Sequence, residues 1–434
     1  MIPTPRGLWA LAGWLLLGVL AALWPAAGPV WGGVGLALSV LLLLDGISLR
    51  RTPTPGVERR VPASLAVGRW SPAALRLSNR ASRPVRVEAY DLHPDTFDVD
   101  SFPATCRLAA ESWADLPLRV RPRSRGRFAF SAVELRLAGR LGLLAEQRTV
   151  AVDTEVKVYP DFREIARYAL LAGEDRTAQM GIHLQRRRGE GQEFHQLREY
   201  RQGDPSRSID WKATARRRQI ISREYREERD QQVVILLDCG RRMRAHDGTL
   251  SHFDQALNAA LLLSYVALQQ GDAVGIQAFS GQQRWLPPVK GRGGINRLLN
   301  GVFDLQPTTA PADFLSAATA LAARQRRRAL VVLITNIRDD DSVELAKAVQ
   351  VLRRRHLLVV ASLREAALRD ATLAPISLLP DALRAAAAVR YLEQRTAAHN
   401  TLRASRVATL DVEPPELPAA LVNQYLQIKR SGAL

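Results

Sequence analysis

Cysteine is almost missing from this chain: Cys106 and Cys239 are the only two in 434 residues. Two thiols so far apart give neither a disulfide framework nor zinc-site spacing, and Cys239 follows an apolar strand where a small buried residue fits. The signature loops of common nucleotide and metal enzymes are missing too. No Gly-x-x-x-x-Gly-Lys-Ser/Thr occurs, which excludes P-loop hydrolysis, and no His-Glu-x-x-His occurs. Gly291-Arg292-Gly293-Gly294 has no dinucleotide-fingerprint spacing; it reads as a turn into a helix at Ile295, whose start is able to hold an anion. His195 and His246 have no Ser or Cys nucleophile set beside them in the pattern. Aromatics are scarce at 6%, and no helix-turn-helix or RNP-like pattern appears. Arg186–Arg188, Arg216–Arg218, Arg326–Arg328 and Arg353–Arg355 keep nucleic acid as a rival partner, but they sit at element ends. No repeat and no low-complexity tract is present.

What is abundant is positive charge. There are 61 Lys and Arg against 43 Asp and Glu, a net charge of +18. Such a surface favours an acidic protein, anionic lipid or nucleic acid. The length implies several domains.

The first 50 residues hold two apolar runs, Gly7–Trp24 and Val30–Leu44, broken by Pro25-Ala26-Ala27-Gly28-Pro29. As helices they form a transmembrane hairpin with a very short loop. Arg6 precedes the first run, and Arg50, Arg51, Arg59 and Arg60 follow the second, which puts both ends in the cytoplasm. A cleaved signal peptide is the competing reading, but only one Arg lies in its N-region and a second apolar run follows at once. Asp45 reads as interfacial rather than as a proton relay, and the arginines suit anionic lipid headgroups.

After the linker Thr52–Gly56, residues 57–160 show short alternating stretches: Ala73–Leu77, Val85–Ala89, Leu116–Val120, Arg127–Leu137 and Glu155–Tyr159. They predict an all-β immunoglobulin-like sandwich, with Arg123-Ser124-Arg125-Gly126 as a hairpin turn. Residues 161–230 form a charged connector, helical over 161–173 and a loop over 177–188. From 231 to 434, strands at Val233–Leu237, Ala273–Phe279, Leu330–Thr335 and Leu357–Ser362 alternate with helices at Phe253–Leu268, Ile295–Phe303, Phe314–Ala323 and Val343–Leu352. That alternation predicts a mostly parallel α/β sheet. An Ala-rich helix over 380–399, a strand at Val407–Leu410 and a helix at Leu417–Ile428 close it.

Ligands of open parallel sheets bind at the carboxyl ends of strands. Asp238 and Asn336 hold such places, Gly240 follows in the turn, and Thr308 lies in a loop that can face the same rim. Oxygen donors there suit a hard cation. The arrangement resembles the von Willebrand factor A fold, whose metal motif is Asp-x-Ser-x-Ser with a loop Thr and a later Asp. Here Asp238-Cys239-Gly240-Arg241-Arg242 lacks both serines, Arg242 stands at the second of them, and Asn336 replaces the later Asp. Magnesium is therefore disfavoured and no cofactor is expected. The plainer role for Asp238 is to cap turn amides or to pair with an Arg.

The connector carries the densest signal. From Arg176 to Arg229 there are fourteen Arg/Lys and eight Asp/Glu with interleaved signs. Exposed pairs contribute about 0–1 kcal/mol each, so stability alone is a weak reason for the run. A solvated, salt-bridged face is the bland alternative. Trp211 is expected to bury its ring, with an Arg stacked on it. The candidate docking residues, toward an acidic partner or the β module, are Glu193, Arg198, Glu199, Tyr200, Arg201, Asp204, Arg207, Asp210, Trp211, Lys212, Arg216, Arg217 and Arg223.

Glu193-Phe194, Arg198-Glu199-Tyr200, Arg201-x-Gly203-Asp204, Arg207, Ile209 to Arg216 and Arg223-Glu224 together resemble the hallmark of the bacterial domain of unknown function 58 family. The resemblance, with hairpin, β module and A-like domain, covers nearly the whole chain. It implies a membrane-anchored scaffold that partners a MoxR-type AAA+ ATPase in protein assembly or remodelling, and it brings no catalytic residues. The alternative is a metal-dependent adhesion-type module for an acidic protein ligand.

Overall fold

The computed structural model describes residues 1–161, 193–201, 206–226, 231–248, 250–291, 293–338 and 341–433. The helix expected after Asp161, the loop over 177–188, Asp204 and Arg292 lie outside the described residues. The chain divides into two compact units, Met1–Tyr159 and Pro160–Leu434.

In the first unit, helix α1 (Pro5–Leu23) starts with Pro at its first position, and Thr4 caps it by accepting from the Gly7 N–H. Trp24 ends it, and Pro25–Ala27 forms one short turn before α2 (Gly28–Arg50). Both helices are long and apolar enough to cross a membrane. They pack through a Trp14–Trp31 stack, ring centroids 5.4 Å apart.

Ten strands surround the hairpin's base. They are β1 (Ile2–Pro3), β2 (Gly56–Arg60), β3 (Ser64–Ala66), β4 (Ser71–Ser78), β5 (Val85–Leu92), β6 (Phe97–Asp100), β7 (Ala104–Leu108), β8 (Trp113–Pro122), β9 (Gly126–Ala138) and β10 (Leu144–Tyr159). One sheet runs β1-β10-β9-β5-β7 with β3 beside β10, and the other runs β2-β4-β8-β6. Strand β5 alternates buried and outward residues, as a half-buried strand must. Leu75, Leu77, Leu118 and Val120 from one sheet meet Val87, Phe130, Leu135 and Val156 from the other. This is a β-sandwich.

Two expectations change here. Arg123–Gly126 is not a hairpin turn: β8 and β9 belong to different sheets, so these residues carry the chain across the sandwich. Local turn chemistry looks the same in both cases; only pairing distinguishes them. Arg59, counted above as a flanking charge, is buried. Its guanidinium pairs with Asp91 and donates to the carbonyls of Phe130, Val152 and Ala132, tying β2 to the opposite sheet.

The second unit begins with an antiparallel pair, β11 (Glu193–Glu199) and β12 (Ile221–Arg226), separated by the short helix α3 (Trp211–Arg217). Then come β13 (Gln232–Asp238), the small hairpin β14 (His246–Asp247) and β15 (Leu250–Ser251), α4 (His252–Gln269), β16 (Ala273–Phe279) and β17 (Arg284–Val289). Helices α5 (Gly294–Val302) and α6 (Phe314–Arg324) lead to β18 (Leu330–Thr335), α7 (Ser342–Arg353) and β19 (Leu357–Leu363). The unit closes with α8 (Ala366–Leu373), α9 (Leu379–Ala404), β20 (Ala408–Val412) and α10 (Leu417–Ser431).

The large sheet has the order β17-β16-β13-β18-β19-β20 and is parallel except for edge strand β17. Strands β13 and β18 are buried on both faces, which explains their uninterrupted Val/Ile/Leu runs. One face packs α4, α5 and α10 through Phe253, Leu257, Leu298 and Tyr425; the other packs α6, α7 and α9 through Phe314, Leu321, Leu345 and Leu402. Chain order reverses between β13 and β18, so their carboxyl ends flank the crevice where such sheets bind ligands.

Candidate docking surface and the sheet rim

At the crevice, Asp238 is about 1% exposed. One carboxylate oxygen accepts from the Gly240 N–H at 2.8 Å, and the other from the Thr335 hydroxyl at 2.7 Å. Ser280 also donates to it. Burial pushes this carboxyl above its ordinary range, opposed by those hydrogen bonds and by the Arg242 charge. Arg242 itself forms an ion pair with Asp341.

Thr308 reaches the same rim but faces backbone. Its hydroxyl lies 3.2 Å from the Cys239 carbonyl and 3.0 Å from that of Ser280. Gly281 permits this approach: its φ is +112°, and a Cβ there would sit 2.2 Å from the Thr308 hydroxyl. Asn336 departs from the expected set. Its amide donates to Glu365 at 2.8 Å, and its carbonyl accepts from Arg395 at 3.1 Å. The sequence-derived metal residues thus split: Asp238, Gly240 and Thr308 share one loop cluster, while Asn336 turns toward α9. The Asp238 oxygens are already engaged by protein donors, with the Arg242 charge near them.

Sequence reasoning missed Arg395. This α9 residue is 2% exposed and places all five donors. Nε donates to Asp411, Nη1 to Asn336 and the Ile337 carbonyl, and Nη2 to Ser362 and the Leu363 carbonyl. It pins α9 across the ends of β18, β19 and β20. The available signal was its helical spacing with the buried Ala388, Ala398 and Leu402. Ser280 was missed as well, although it directly follows β16 at a strand's carboxyl end.

The connector residues fold into a different kind of surface. Asp210 caps α3, accepting from the N–H groups of Lys212 and Ala213 at 3.0 Å each. Arg216 and Arg217 occupy the last turn, favourably placed against the helix dipole, and Arg218 stops the helix in a left-handed conformation. Thr214 accepts from the Ile221 N–H at 3.0 Å, Ser208 and Ser222 share a buried 2.8 Å hydrogen bond, and Ile221 is buried. The Tyr200 N–H donates to the Ile220 carbonyl at 2.9 Å. These ties hold α3 on the β11/β12 pair.

Trp211 contradicts expectation. Its side chain is not buried but 69% exposed, because α3 rests on the hairpin through Thr214 and leaves its first residue outside. Ile220 and Leu197 are also exposed, as are Glu199, Arg201, Lys212, Arg216, Arg217 and Arg218. Arg198 donates to the Glu199 carbonyl at 3.0 Å. Glu193 opens β11, Arg207 lies in the turn Ser206–Ser208, and Arg223 pairs with Leu197 in the hairpin register; their side chains lie outside the described part.

Residues 196–378 match a family model, "Protein of unknown function DUF58". The match includes both the Trp211 surface and the rim around Asp238. The chain is also similar to the "Uncharacterized protein YeaD" of Bacillus subtilis (strain 168), 22% identical over 231 residues that cover 51% of this chain and 54% of that protein. It therefore spans about half the length of that curated relative. Among solved structures, it is similar to a PapD-like domain of human CEP192, 17% identical, covering 25% of this chain and 89% of that one at a TM-score of 0.19. It is likewise similar to Escherichia coli alpha-2-macroglobulin from domain MG7 to the C-terminus, 20% identical, covering 25% and 17% at a TM-score of 0.20. At those TM-scores neither likeness bears on this chain's fold.

Proposed function

We propose that this chain is a membrane-anchored docking protein and that the α3 surface is where an acidic partner binds. The observation that carries the reading is the exposed Trp211. Large aromatics and arginines dominate the binding energy of protein interfaces, and α3 with its β-hairpin exposes a Trp, Ile220, Leu197 and three arginines, a set with that composition. The net charge of +18 supports an acidic partner.

The partner we take is a MoxR-type AAA+ ATPase, with assembly or remodelling of other proteins as the shared task, as the resemblance of the connector motif implies. The arginines flanking the helical hairpin support a cytoplasmic location at a bacterial inner membrane. The sheet order supports a von Willebrand factor A-like α/β unit in which the Arg242–Asp341 pair stands in place of a bound cation. Docking in this reading needs neither metal nor catalysis, and the metal-dependent adhesion reading loses its support with the donors of Asp238 and Asn336 already engaged.

The test is a pull-down of a purified MoxR-type ATPase on the full chain reconstituted in bilayers, comparing wild type with R216E/R217E. The double reversal is expected to abolish retention while the thermal melt stays unchanged. Equal retention by both proteins would overturn the proposal.

A further inference from the structure

The base of the helical hairpin is built into the sandwich. Strand β1 pairs with β10 through Ile2–Ala145 and Pro3–Leu144. The Thr4 N–H donates to the Leu143 carbonyl, and its hydroxyl to that of Gly142. From α2, the buried Asp45 accepts from the N–H groups of Leu141, Leu143 and Leu144 at 2.7, 2.9 and 2.9 Å. A side chain at Gly139 would collide with that carboxylate, at 2.4 Å. Arg148 adds bonds to the carbonyls of Leu49 and Thr52, and Arg83 to Ser48 and Thr52. The β9–β10 turn is thereby held at the level of Asp45.

That level follows from helix geometry. Asp45 lies 17 residues after Gly28, about 26 Å along α2, where the hydrocarbon layer of about 30 Å is ending. Arg6 lies 17 residues before Leu23 and reaches the same depth on α1. Its guanidinium lies over Gly142 of the turn, 3.7 Å from where a Cβ would sit. Arg140 and the 44% exposed Leu141 form the turn's tip, and Arg50 and Arg51 follow about 33–35 Å along α2, in the headgroup layer. Arg6, Arg50, Arg51 and Arg140 are all exposed, whereas Asp45 is buried and engaged by amides and Glu146 is paired with Arg148.

We infer that this junction is a binding site for the phosphate of an anionic phospholipid, with Arg6 and Arg140 as its principal ligands and Leu141 at the hydrocarbon boundary. The inference rests on the membrane-anchor reading above. Continuity with the spans makes the bilayer the occupant, and the charge makes it an anionic one.

The experiment is native mass spectrometry of the full chain, released from micelles holding equal phosphatidylglycerol and phosphatidylcholine. Wild type is expected to retain phosphatidylglycerol over phosphatidylcholine by about thirtyfold, the equivalent of about 1 kcal/mol for each of two guanidinium groups. R6Q/R140Q is expected to fall to near parity, and R6K/R140K to keep most of the preference. The single variants R6Q and R140Q, each expected to lose about half of it on a logarithmic scale, serve if the double variant misfolds. Parity in the wild type, or full preference in R6Q/R140Q, would overturn the site. Extraction of the wild type from membranes by alkali would instead overturn the anchor reading.

Discussion

The sheet rim and the α3 surface lie in the same unit and are both rich in charge, yet they treat it oppositely. At the rim, three described charged groups are met from inside the protein: Asp238 by two hydroxyls and an amide, Arg242 by Asp341, and Arg395 by five acceptors. On α3, backbone and hydroxyls hold the helix in place while Trp211 and the arginines stay outside. Burial makes polar groups expensive unless paired, so a closed network specifies structure. An exposed Trp gives the fold little, and its energy is available to a partner. The difference moves the functional reading from the strand-end Asp to the helix that precedes it.

The largest break in this comparison comes from emptying the rim. Arg395→Ala leaves Asp411, Asn336 and two carbonyls without their donor, and is expected to cost about 3–5 kcal/mol, read as a lowered thermal midpoint of the purified chain. A midpoint within error of wild type would show that the network is not what holds α9.

Asp238 gives a smaller and sharper contrast. Asp238→Ala orphans the Gly240 amide and two hydroxyls and is expected to destabilise by about 1–3 kcal/mol. Asp238→Asn keeps an acceptor and removes the buried charge, so its midpoint at neutral pH is expected to equal or exceed that of wild type. Added magnesium is expected to leave both differences unchanged; a midpoint raised by magnesium in wild type alone would restore the metal reading.

The smallest effect is a pH dependence. His356 is 5% exposed, and burial holds its pKa below the ordinary value of 6.5; His399 is shifted the same way. Between the lowered folded value and 6.5 the unfolded chain binds more protons, so stability is full above that window and falls as the pH drops through it. Thermal melts from pH 7.5 to 5 are expected to show this decline, with a shallower slope in His356→Leu. An identical slope would assign the decline elsewhere.

The sequence made legible whatever depends on local pattern. Period-2 alternation located the main sandwich strands, and continuous apolar runs located β13, β18 and β19, because a strand covered on both faces has nowhere to put a polar residue. Strand-end logic found Asp238. Long-range pairing was not legible. The sheet switch at Arg123–Gly126, the role of Arg59, and Asn336 turned toward Arg395 all depend on residues distant in the chain. Edge strand β17 was not identified, because Pro287 and Pro288 lie inside it and proline is excluded from most strands. Trp211 was misread because a lone Trp in a charged run is ambiguous: amphipathic spacing gives no burial face in a seven-residue helix.

The most direct measurement is the affinity of the full chain, in bilayer discs, for a purified MoxR-type ATPase with and without Trp211→Ala. Trp211 is 69% exposed, so the fold is expected to survive and the thermal midpoint to stay at the wild-type value. The account predicts a loss of about thirtyfold or more in affinity, the equivalent of about 2 kcal/mol for an interface anchor. An unchanged Kd with an intact fold would contradict it.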